Sequence, residues 1–458
     1  MLDMIGVGPF ITLPLLLSAM GGPQAMLGWI LGAAIAVCDG LVWAELGAAM
    51  PEAGGSYRFL RVIYSGRDGS STLGRFVGFL FIFQLIFSAP LSAASGSIGL
   101  SQYAAYIWPS LTRNFGAQMI HAGPYSAGVS FGLETAVAIG VVLLAVLLLY
   151  RRLASLRVIT GGMWCSVMGL IAWILVTGLI HGHLGQAFDF PRGAFHPNLA
   201  FFQGLALAML IATYDYWGYY NITFLGGEVK DAARTVPRAI LISIVAVGAM
   251  YMAMTLAVLS VVHWQQLVGV QDIAARRAVI AVFMQQAYGL QAGPWLGKLA
   301  AALVMITAFA SIFSLLLGYS RIPYAAARDG NFFRVFGRLH RDGFPHISVL
   351  FLGGMAACFC FFSLTDVIAA LVVLRILIQF LMQHIGVMLL RRSQPDLRRP
   401  FRIWLYPIPP LVAIAGFSYI LFARPNFVRE LLLAAVILGL GTAAFFIRDR
   451  RLPAGERI

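Results

Sequence analysis

The chain has 458 residues, of which 60% are hydrophobic and only 11% are charged, and its mean hydropathy is +0.85. Soluble domains carry about 25% charged residues, whereas the apolar residues here fall in blocks of about 20, long enough to cross a hydrocarbon core of roughly 30 Å. This composition excludes a soluble globular protein and predicts an integral membrane protein.

The basic charge of the chain is distributed unevenly among its loops. The net charge is +14, and if the N-terminus is cytoplasmic, 24 of the 32 Lys and Arg residues fall in cytoplasmic segments, seven fall outside and one, Arg375, falls within an apolar window. This bias follows the positive-inside rule of membrane proteins. The charge therefore predicts topology and requires no nucleic acid as a partner.

Apolar windows predict twelve transmembrane helices and an all-α fold, with both termini in the cytoplasm. The external connection 263–294 has helical spacing, which predicts a further helix across the mouth of the protein. The windows are 1–20, 24–49, 74–100, 127–149, 156–180, 199–225, 238–262, 295–319, 346–362, 366–390, 407–423 and 428–447.

Two windows, the first and the sixth, are interrupted by residues that disfavour an α-helix. The first contains GVGP at residues 6–9, and the sixth contains Asp215, Gly218 and Asn221 among aromatic residues. Two interrupted helices five apart predict an inverted repeat with a binding site near the bilayer midplane. The predicted units are a first five-helix repeat at 1–180, a second at 199–390, two further helices at 407–447 and a cytoplasmic tail at 448–458.

An unwound first helix would expose backbone groups to a ligand. Amides near Gly6, Val7 and Gly8 suit a carboxylate if Pro9 starts a new half-helix, because they would lie at its positive end. Carbonyl groups released at residues 214–217 suit an ammonium group. The alternative is a kink that serves helix packing, since Gly and Pro are frequent in membrane helices.

Four groups of residues, in order along the chain, resemble the amino acid-polyamine-organocation permeases, and the resemblance covers essentially the whole chain. They are 6–10 (GVGPF); 43–46 (WAEL) with 50–57 (MPEAGGSY); 227–230 (GEVK) with Arg234 and 236–239 (VPRA); and 320–321 (SR) with 327–330 (ARDG).

The resemblance implies secondary transport of amino acids or related amines by alternating access, without ATP, a cofactor or a metal. The resemblance implies that Gly6, Val7 and Gly8 hold the substrate carboxylate and that Tyr214, Trp217 and Gly218 lie at the site. Pro9, Asp215 and Tyr216 complete the predicted substrate-binding residues because they lie at the two interruptions. Tyr214 would be an aromatic lid, although the aromatic cluster around it has ordinary packing as an alternative interpretation. Only five residues precede Gly6, where the family has a longer N-terminal segment, so we expect the native chain to start earlier.

Ionisable and hydroxyl residues in the spans are candidates for ion coupling, because charge inside a membrane is costly. Asp215 adjoins the interruption and is a candidate for binding either a substrate ammonium or a coupling proton; its alternative role is to cap free amides. Asp39 is a second candidate; the alternatives for Asp39 and Arg375 are a structural pair or residues that line the inner vestibule. Many sodium-independent relatives have a lysine in the fifth helix, which this chain lacks, so Ser166 and Ser311 are candidates for sodium ligands.

Several functions remain open at this point. The first is a proton-coupled or exchanging amino acid permease of a bacterial inner-membrane type, with membrane lipid as its surroundings. The alternatives are a polyamine or cationic amino acid exchanger, and a membrane amino acid sensor that does not transport. An enzyme is not expected, because no catalytic or metal-binding motif is present. Glu45 and Glu228 are expected to form ion pairs at the inner gate, and His384 is expected to be packed or hydrated.

Overall fold

The computed structural model describes residues 4–6, 8–52, 54–66, 71–122, 125–150, 153–268, 273–424 and 427–450, and it is mostly helical. Eight of its helices are long and apolar enough to cross a membrane, and four shorter helices are also apolar. Each of the twelve apolar windows of the sequence overlaps one of these helices. The chain is therefore built as a multi-pass integral membrane protein, as its composition predicts.

The apolar helices follow the windows with shifts at their ends. The helix that begins at Thr72 runs seven residues beyond its window, and the helix that begins at Ala232 starts six residues before its window. The helices are α1 (Gly8–Met20), α2 (Met26–Ala49), α4 (Thr72–Ile107), α5 (Leu133–Leu149), α6 (Leu153–His181), α8 (Leu199–Tyr216), α9 (Ala232–Leu259), α13 (Gly289–Tyr319), α15 (His346–Phe359), α16 (Leu364–Arg375) continuing into α17 (Met382–Ser393), α18 (Ile408–Phe422) and α19 (Phe427–Arg450).

Short helices occupy the connections. The predicted helical connection at 263–294 forms three short helices, of which the last packs against α13, α6 and α1 and is largely buried. The short helices are α3 (Ser56–Tyr64), α7 (Leu184–Ala187), α10 (Trp264–Val268), α11 (Ile273–Arg277), α12 (Val279–Ala287) and α14 (Arg321–Arg328), and 3-10 turns lie at Pro23–Ala25, Pro109–Thr112, Tyr219–Glu228 and Arg334–Gly337.

The all-α prediction is wrong at one place. Strands β1 (Asn114–Ala122) and β2 (Tyr125–Gly132) form an antiparallel hairpin between α4 and α5, and β2 contacts the α15–α16 connection through a Ser130 N to Phe361 O hydrogen bond of 2.9 Å. Residues 127–132 were assigned to a helix because their composition is apolar. The sequence YSAGVSFG alternates apolar residues with small or polar residues, which is the two-residue period of a strand.

The long helices pack in two groups, one around α2 and one around α4. Helix α2 packs along α9 and α8, and α1 packs on α8; helix α4 packs against α13, α15 and α16. Between α16 and α17 the backbone changes to a π-helical turn at Ile376–Leu381 without a break in the rod. Such turns are frequent at functional sites. The π turn separates two buried polar side chains of this rod, Arg375 and His384.

Candidate functional site

The backbone is not helical immediately before α1. Residues 4–6 form a turn and a bend, and the helix begins at Gly8, with Pro9 in its first turn. Proline is accommodated there because first-turn N–H groups have no partner within the helix. Val7, which the sequence analysis places in the site, lies outside the described residues.

The sixth apolar window is interrupted where the sequence analysis expects. Helix α8 ends at Tyr216, Trp217 is extended, and Gly218 has a φ of 118° before the 3-10 turn begins at Tyr219. A positive φ is readily adopted only by glycine among the common residues. The glycine therefore allows the chain to leave one helix and start a second segment in a different direction.

The two interrupted segments touch each other at Gly8 and Asp215. The Thr12 hydroxyl donates a hydrogen bond to Oδ2 of Asp215 and also lies 2.8 Å from the Gly8 carbonyl oxygen. A Cβ atom on Gly8 would overlap Oδ1 of Asp215. Among the described residues, that Oδ1 atom has no hydrogen-bond partner although Asp215 is only 3% exposed. Glycine at this position is therefore required by the close approach of the carboxylate.

A tyrosine from α9 joins the two segments through their backbones. The Tyr251 hydroxyl contacts the Met4 carbonyl oxygen and lies 3.3 Å from the Asp215 carbonyl oxygen, and the Tyr251 side chain is fully buried. One hydroxyl thus bridges a carbonyl from each interrupted segment. The sequence analysis missed this residue, because a tyrosine in an apolar helix gives no local signal of what it contacts.

A cavity of about 50 Å³ lies between these segments. Five elements or segments contribute to its wall: the N-terminal segment with α1, then α4, the α8 break, α13 and α16. The lining residues are Met4, Gly6, Gly8, Ser92, Gly96, Tyr214, Asp215, Trp217, Gly218, Ser311, Ile312, Leu315, Tyr319 and Arg375. The cavity therefore combines a carboxylate, a guanidinium, hydroxyl groups and aromatic rings in an otherwise apolar interior.

Arg375 supplies the positive charge of the cavity wall. Its guanidinium donates to the Tyr220 hydroxyl at 2.8 Å and to Ser92 Oγ at 3.2 Å, and its Cζ atom lies 5.4 Å from the Trp217 ring centroid and 5.1 Å from that of Tyr319. From the sequence, Arg375 is expected either to be a structural partner of Asp39 or to line the inner vestibule. Its only sequence signal was a charge inside an apolar window, which is a functional indication by default.

The structure places most of the predicted site residues in the cavity wall and some elsewhere. The predicted residues that line the cavity are Gly6, Gly8, Tyr214, Asp215, Trp217, Gly218 and Ser311. Tyr216 points to α2, where its hydroxyl donates to the Trp29 carbonyl oxygen at 3.1 Å, and Pro9 is buried beside the cavity without lining it. Ser166 lies on α6 and is not among the lining residues.

Asp39 lies in a separate buried cluster. Its Oδ1 atom is 3.1 Å from Nε2 of His384, and its Oδ2 atom accepts a hydrogen bond from the Tyr219 hydroxyl. The described contacts of Asp39 are therefore to His384 and Tyr219 rather than to Arg375, which corrects the pairing considered from the sequence. His384 is fully buried, so it is packed, as expected, but against a carboxylate.

Three of the four segments that resemble the permease family, those around 43–57, 227–239 and 320–330, pack together; with the ion pairs of Glu45 and Arg61 they are called the charged end of the molecule. Tyr57 from MPEAGGSY donates to Asp329 of ARDG at 3.2 Å, and Arg61 pairs with the same carboxylate at 3.0 Å. Burial and the neighbouring Asp329 charge raise the pKa of Tyr57 to about 12. A Cβ atom on Gly226 would lie 2.9 Å from the Pro51 carbonyl oxygen, so the loop after the sixth helix also packs here.

Glu45 forms the ion pairs that the sequence predicts. Its carboxylate accepts from Nε of Arg391 at 2.9 Å, lies 3.5 Å from Nε of Arg399 and accepts from the Ile403 amide at 2.8 Å. Glu45 is 1% exposed, so the charge is buried with its partners. The corresponding prediction for Glu228 concerns a side chain outside the described part of the structure. Within that same part, no group of three or more His, Cys, Asp or Glu side chains is arranged to hold a metal ion.

Comparison with known proteins identifies the family. The sequence profile described as "Amino acid permease" matches residues 1–441. The chain belongs to the amino acid permease family. Its family and its relatives are transporters rather than enzymes.

Related proteins are named for different amino acid substrates. The permease is 25% identical to the serine/threonine exchanger SteT of Bacillus subtilis, over 91% of this chain and 86% of the relative. It is 24% identical to the branched-chain amino acid permease BcaP of Lactococcus lactis, over 98% and 93%. It is also 25% identical to the human cationic amino acid transporter 4, over 82% of this chain and 54% of the relative.

Proposed function

We propose that the protein is a secondary active transporter that moves amino acids across a bacterial inner membrane by alternating access. In this proposal the twelve apolar helices all cross the membrane, with both termini in the cytoplasm. Helices α1 to α6 and α8 to α17 contain two inverted five-helix repeats, and α18 and α19 lie outside the repeats. The interruptions at α1 and at the end of α8 occupy corresponding positions in the two repeats.

The observation that carries the proposal is the cavity between these interruptions. Gly6 brings non-helical backbone to its wall and Gly8 brings the first turn of α1, and Trp217 and Gly218 bring the second interrupted backbone to the same space. Backbone that is not paired within a helix is tolerated inside a membrane where it lines a cavity. The substrate carboxylate would bind the amides near Gly6 and Gly8. The substrate ammonium would bind near Asp215, whose Oδ1 atom lies where Asp215 closely approaches Gly8.

Arg375 bears on the class of substrate. A guanidinium in the cavity wall raises the energy of a ligand whose only charges are positive, because like charges repel strongly in a low-dielectric interior. The structure therefore favours a zwitterionic or anionic amino acid over a diamine. Asp215 is the observation that favours the second candidate, a cationic amino acid exchanger, whose substrate has both a carboxylate and an additional ammonium group.

The first test is a thermal-stability screen of the purified protein. The twenty amino acids and the diamines putrescine and cadaverine are added in turn, since a ligand of the native state raises apparent stability by mass action. We expect stabilisation by zwitterionic or anionic amino acids, followed by uptake of the same compounds into liposomes.

The outcome separates the candidates. Stabilisation by arginine or lysine alone favours the cationic exchanger, and stabilisation by diamines alone contradicts the role proposed for the Gly6 and Gly8 amides. Binding without uptake or exchange in liposomes would replace a transporter by a sensor. Arg375→Gln is the matched variant: it should weaken binding of anionic amino acids most and improve binding of cationic ones.

A further inference from the structure

The Asp39 cluster joins three elements that meet away from the cavity. Asp39 lies on α2, Tyr219 is the first residue of the 3-10 turn after the Gly218 break, and His384 lies on α17, directly after the π turn. The relative exposures of Asp39 and His384 are 0%, and that of Tyr219 is 4%. Two of these three elements are continuous with segments that line the cavity, at Gly218 and at Arg375.

The hydrogen bonds of His384 determine where its protons lie. Its Nδ1 atom is 2.6 Å from the Phe380 carbonyl oxygen. A carbonyl oxygen can only accept, so Nδ1 carries a hydrogen. In a neutral imidazole the other nitrogen, Nε2, is then an acceptor with a lone pair.

The described polar atom beside Nε2 is Oδ1 of Asp39, which is also an acceptor when the carboxylate is ionised. Oδ1 of Asp39 lies 3.1 Å from Nε2, in ion-pair contact without an aligned hydrogen bond. If the imidazole were neutral and the carboxylate ionised, the buried negative charge of Asp39 would have the Tyr219 hydroxyl and a neutral ring as its described partners. One further proton on Nε2 gives the ring a positive charge, which attracts the Asp39 carboxylate.

We propose that Asp39 and His384 share one exchangeable proton, and that this pair is the coupling-proton site of the permease. This inference rests on the proposed transport function. When the proton is bound, the cluster is electrically neutral and holds α2 against α17. When the proton leaves Nε2 for water, the electron pair stays on the nitrogen, the cluster carries one negative charge, and the contact between α2 and α17 is weakened.

The position of the pair explains how a proton would affect the cavity. Tyr219 connects Asp39 to the segment that follows Gly218, and the π turn connects His384 to Arg375 within one rod. A change in the distance between α2 and α17 therefore moves both a break residue and a charged wall residue. Each of these segments has two arrangements in an alternating-access cycle, which is what coupling requires.

Apolar side chains of two helices pack beside the pair. Helix α9 places Ile240 and Ile244 against Gly40, and α18 places the Phe417 ring 5.7 Å from the His384 ring. The other titratable or charged groups on the packed elements are Cys38 and Glu45 on α2, Tyr57, Arg58, Arg61 and Tyr64 on α3, Tyr214, Asp215 and Tyr216 on α8, Tyr220 in the 3-10 turn, Arg234, Arg238 and Tyr251 on α9, Asp366 and Arg375 on α16, Arg391 and Arg392 on α17 and Tyr419 on α18.

The key variant is Asp39→Asn. The asparagine amide can donate to Nε2 of neutral His384 while its oxygen accepts from Tyr219, so the contacts of the proton-bound state are kept without an exchangeable proton. His384→Gln removes the titrating ring by a different route. His196→Gln is the matched control, because His196 is exposed on the connection between α7 and α8.

The experiment compares two kinds of flux in liposomes, with a mixture of radiolabelled amino acids as the probe. Exchange at equal pH tests transport itself, and accumulation driven by a pH gradient tests coupling. One proton per substrate supports about tenfold accumulation for each unit of pH gradient, because one unit corresponds to about 1.4 kcal/mol. We expect this accumulation in the native protein and in His196→Gln, and its loss in Asp39→Asn and His384→Gln with exchange retained.

Each outcome decides between distinct claims. If the native protein neither exchanges nor accumulates any amino acid, the proposed transport function fails. If it exchanges but shows no response to the gradient, or if Asp39→Asn and His384→Gln both accumulate like the native protein, the proton-site inference is overturned while transport stands.

A second measurement covers variants that do not fold. In a protein whose other seven histidines are glutamine, nuclear magnetic resonance of labelled histidine reports the charge and tautomer of His384 directly. We expect both ring nitrogens to carry hydrogen in the proton-bound state, with loss of the Nε2 hydrogen as the pH rises. A ring that stays neutral throughout the pH range of transport overturns the inference.

Discussion

The acidic side chains of the cavity and of the charged end of the molecule are buried to a similar extent but are paired differently. Glu45 contacts two arginines and a backbone amide. Asp215 accepts one described hydrogen bond at Oδ2, from the neutral Thr12 hydroxyl, and its Oδ1 has no partner within the described structure.

The difference indicates which carboxylate is available to a ligand. A buried charge with opposite charges around it is neutralised within the protein, so its removal mainly affects stability. A buried carboxylate held by neutral groups retains the need for a positive partner or a proton. Burial alone therefore does not separate structural from functional acids in this permease, whereas the charge of their partners does.

The largest effect is expected from Gly8→Ala. The added Cβ atom would overlap Oδ1 of Asp215, so either the carboxylate or α1 must move. We expect amino acid flux in liposomes to fall by at least about 100-fold, because displacements near 1 Å at a site have effects of that size. Gly140→Ala is the control, since no atom lies within 4 Å of a Cβ at that position. Equal flux in the two variants would contradict the described contact.

Glu45→Gln tests the paired side of the comparison. The substitution leaves Arg391 and Arg399 without their carboxylate, and we expect the free energy of unfolding to fall by about 3 kcal/mol. The measurement is denaturant or thermal unfolding in detergent. Glu52→Gln removes a surface pair, Glu52 with Arg58 at 2.9 Å, and should change stability by less than about 0.5 kcal/mol. A similar loss of unfolding free energy in both variants would show that burial of the Glu45 ion pairs adds nothing to stability.

Asp215→Asn tests the unpaired side. Asparagine can still accept from Thr12, so the fold should be kept, while the negative charge at the cavity is lost. We expect substrate affinity to fall by about tenfold or more, as expected for a lost charge-assisted hydrogen bond. Asp189→Asn, on an exposed connection, provides the control. Unchanged affinity and unchanged pH dependence of uptake would remove Asp215 from both its ligand and its proton roles.

The smallest effect is expected from Tyr251→Phe. The variant loses the hydroxyl that contacts carbonyl groups of both interrupted segments, which should cost about 1 kcal/mol in stability and raise the KM for transport. Tyr419→Phe loses a comparable bond to the Phe202 carbonyl oxygen, far along the chain from the cavity segments. A matching rise of KM in both variants would assign the Tyr251 effect to general stability.

The sequence predicted the features that depend on local composition. Apolar windows predicted the long helices. The glycine-containing interruptions predicted the start of α1 and the end of α8, because unpaired backbone is unfavourable in lipid. Most residues predicted at those interruptions line the cavity. The hairpin of β1 and β2 was missed because its apolar content was given more weight than its alternation.

Features that depend on which side chains of different helices face each other could not be predicted from one sequence. The roles of Tyr251 and Arg375 arise from what other helices present to them, and no spacing along their own helices encodes this. The choice of His384 as the partner of Asp39 is of the same kind, since the two residues are 345 positions apart. The ion pairing of Glu45 was easier to predict, because a carboxylate at a helix end with arginines nearby has few roles other than an ion pair.

The π turn also changes how a helical wheel of this rod must be drawn. Arg375 and His384 are nine positions apart, which places them about 180° apart on an ideal α-helix. A π turn absorbs about one residue, so the angle falls to about 80° and both side chains face the interior. A wheel drawn from the sequence would therefore assign one of them to lipid, and every residue after Leu381 would be rotated by about 100° from its true direction.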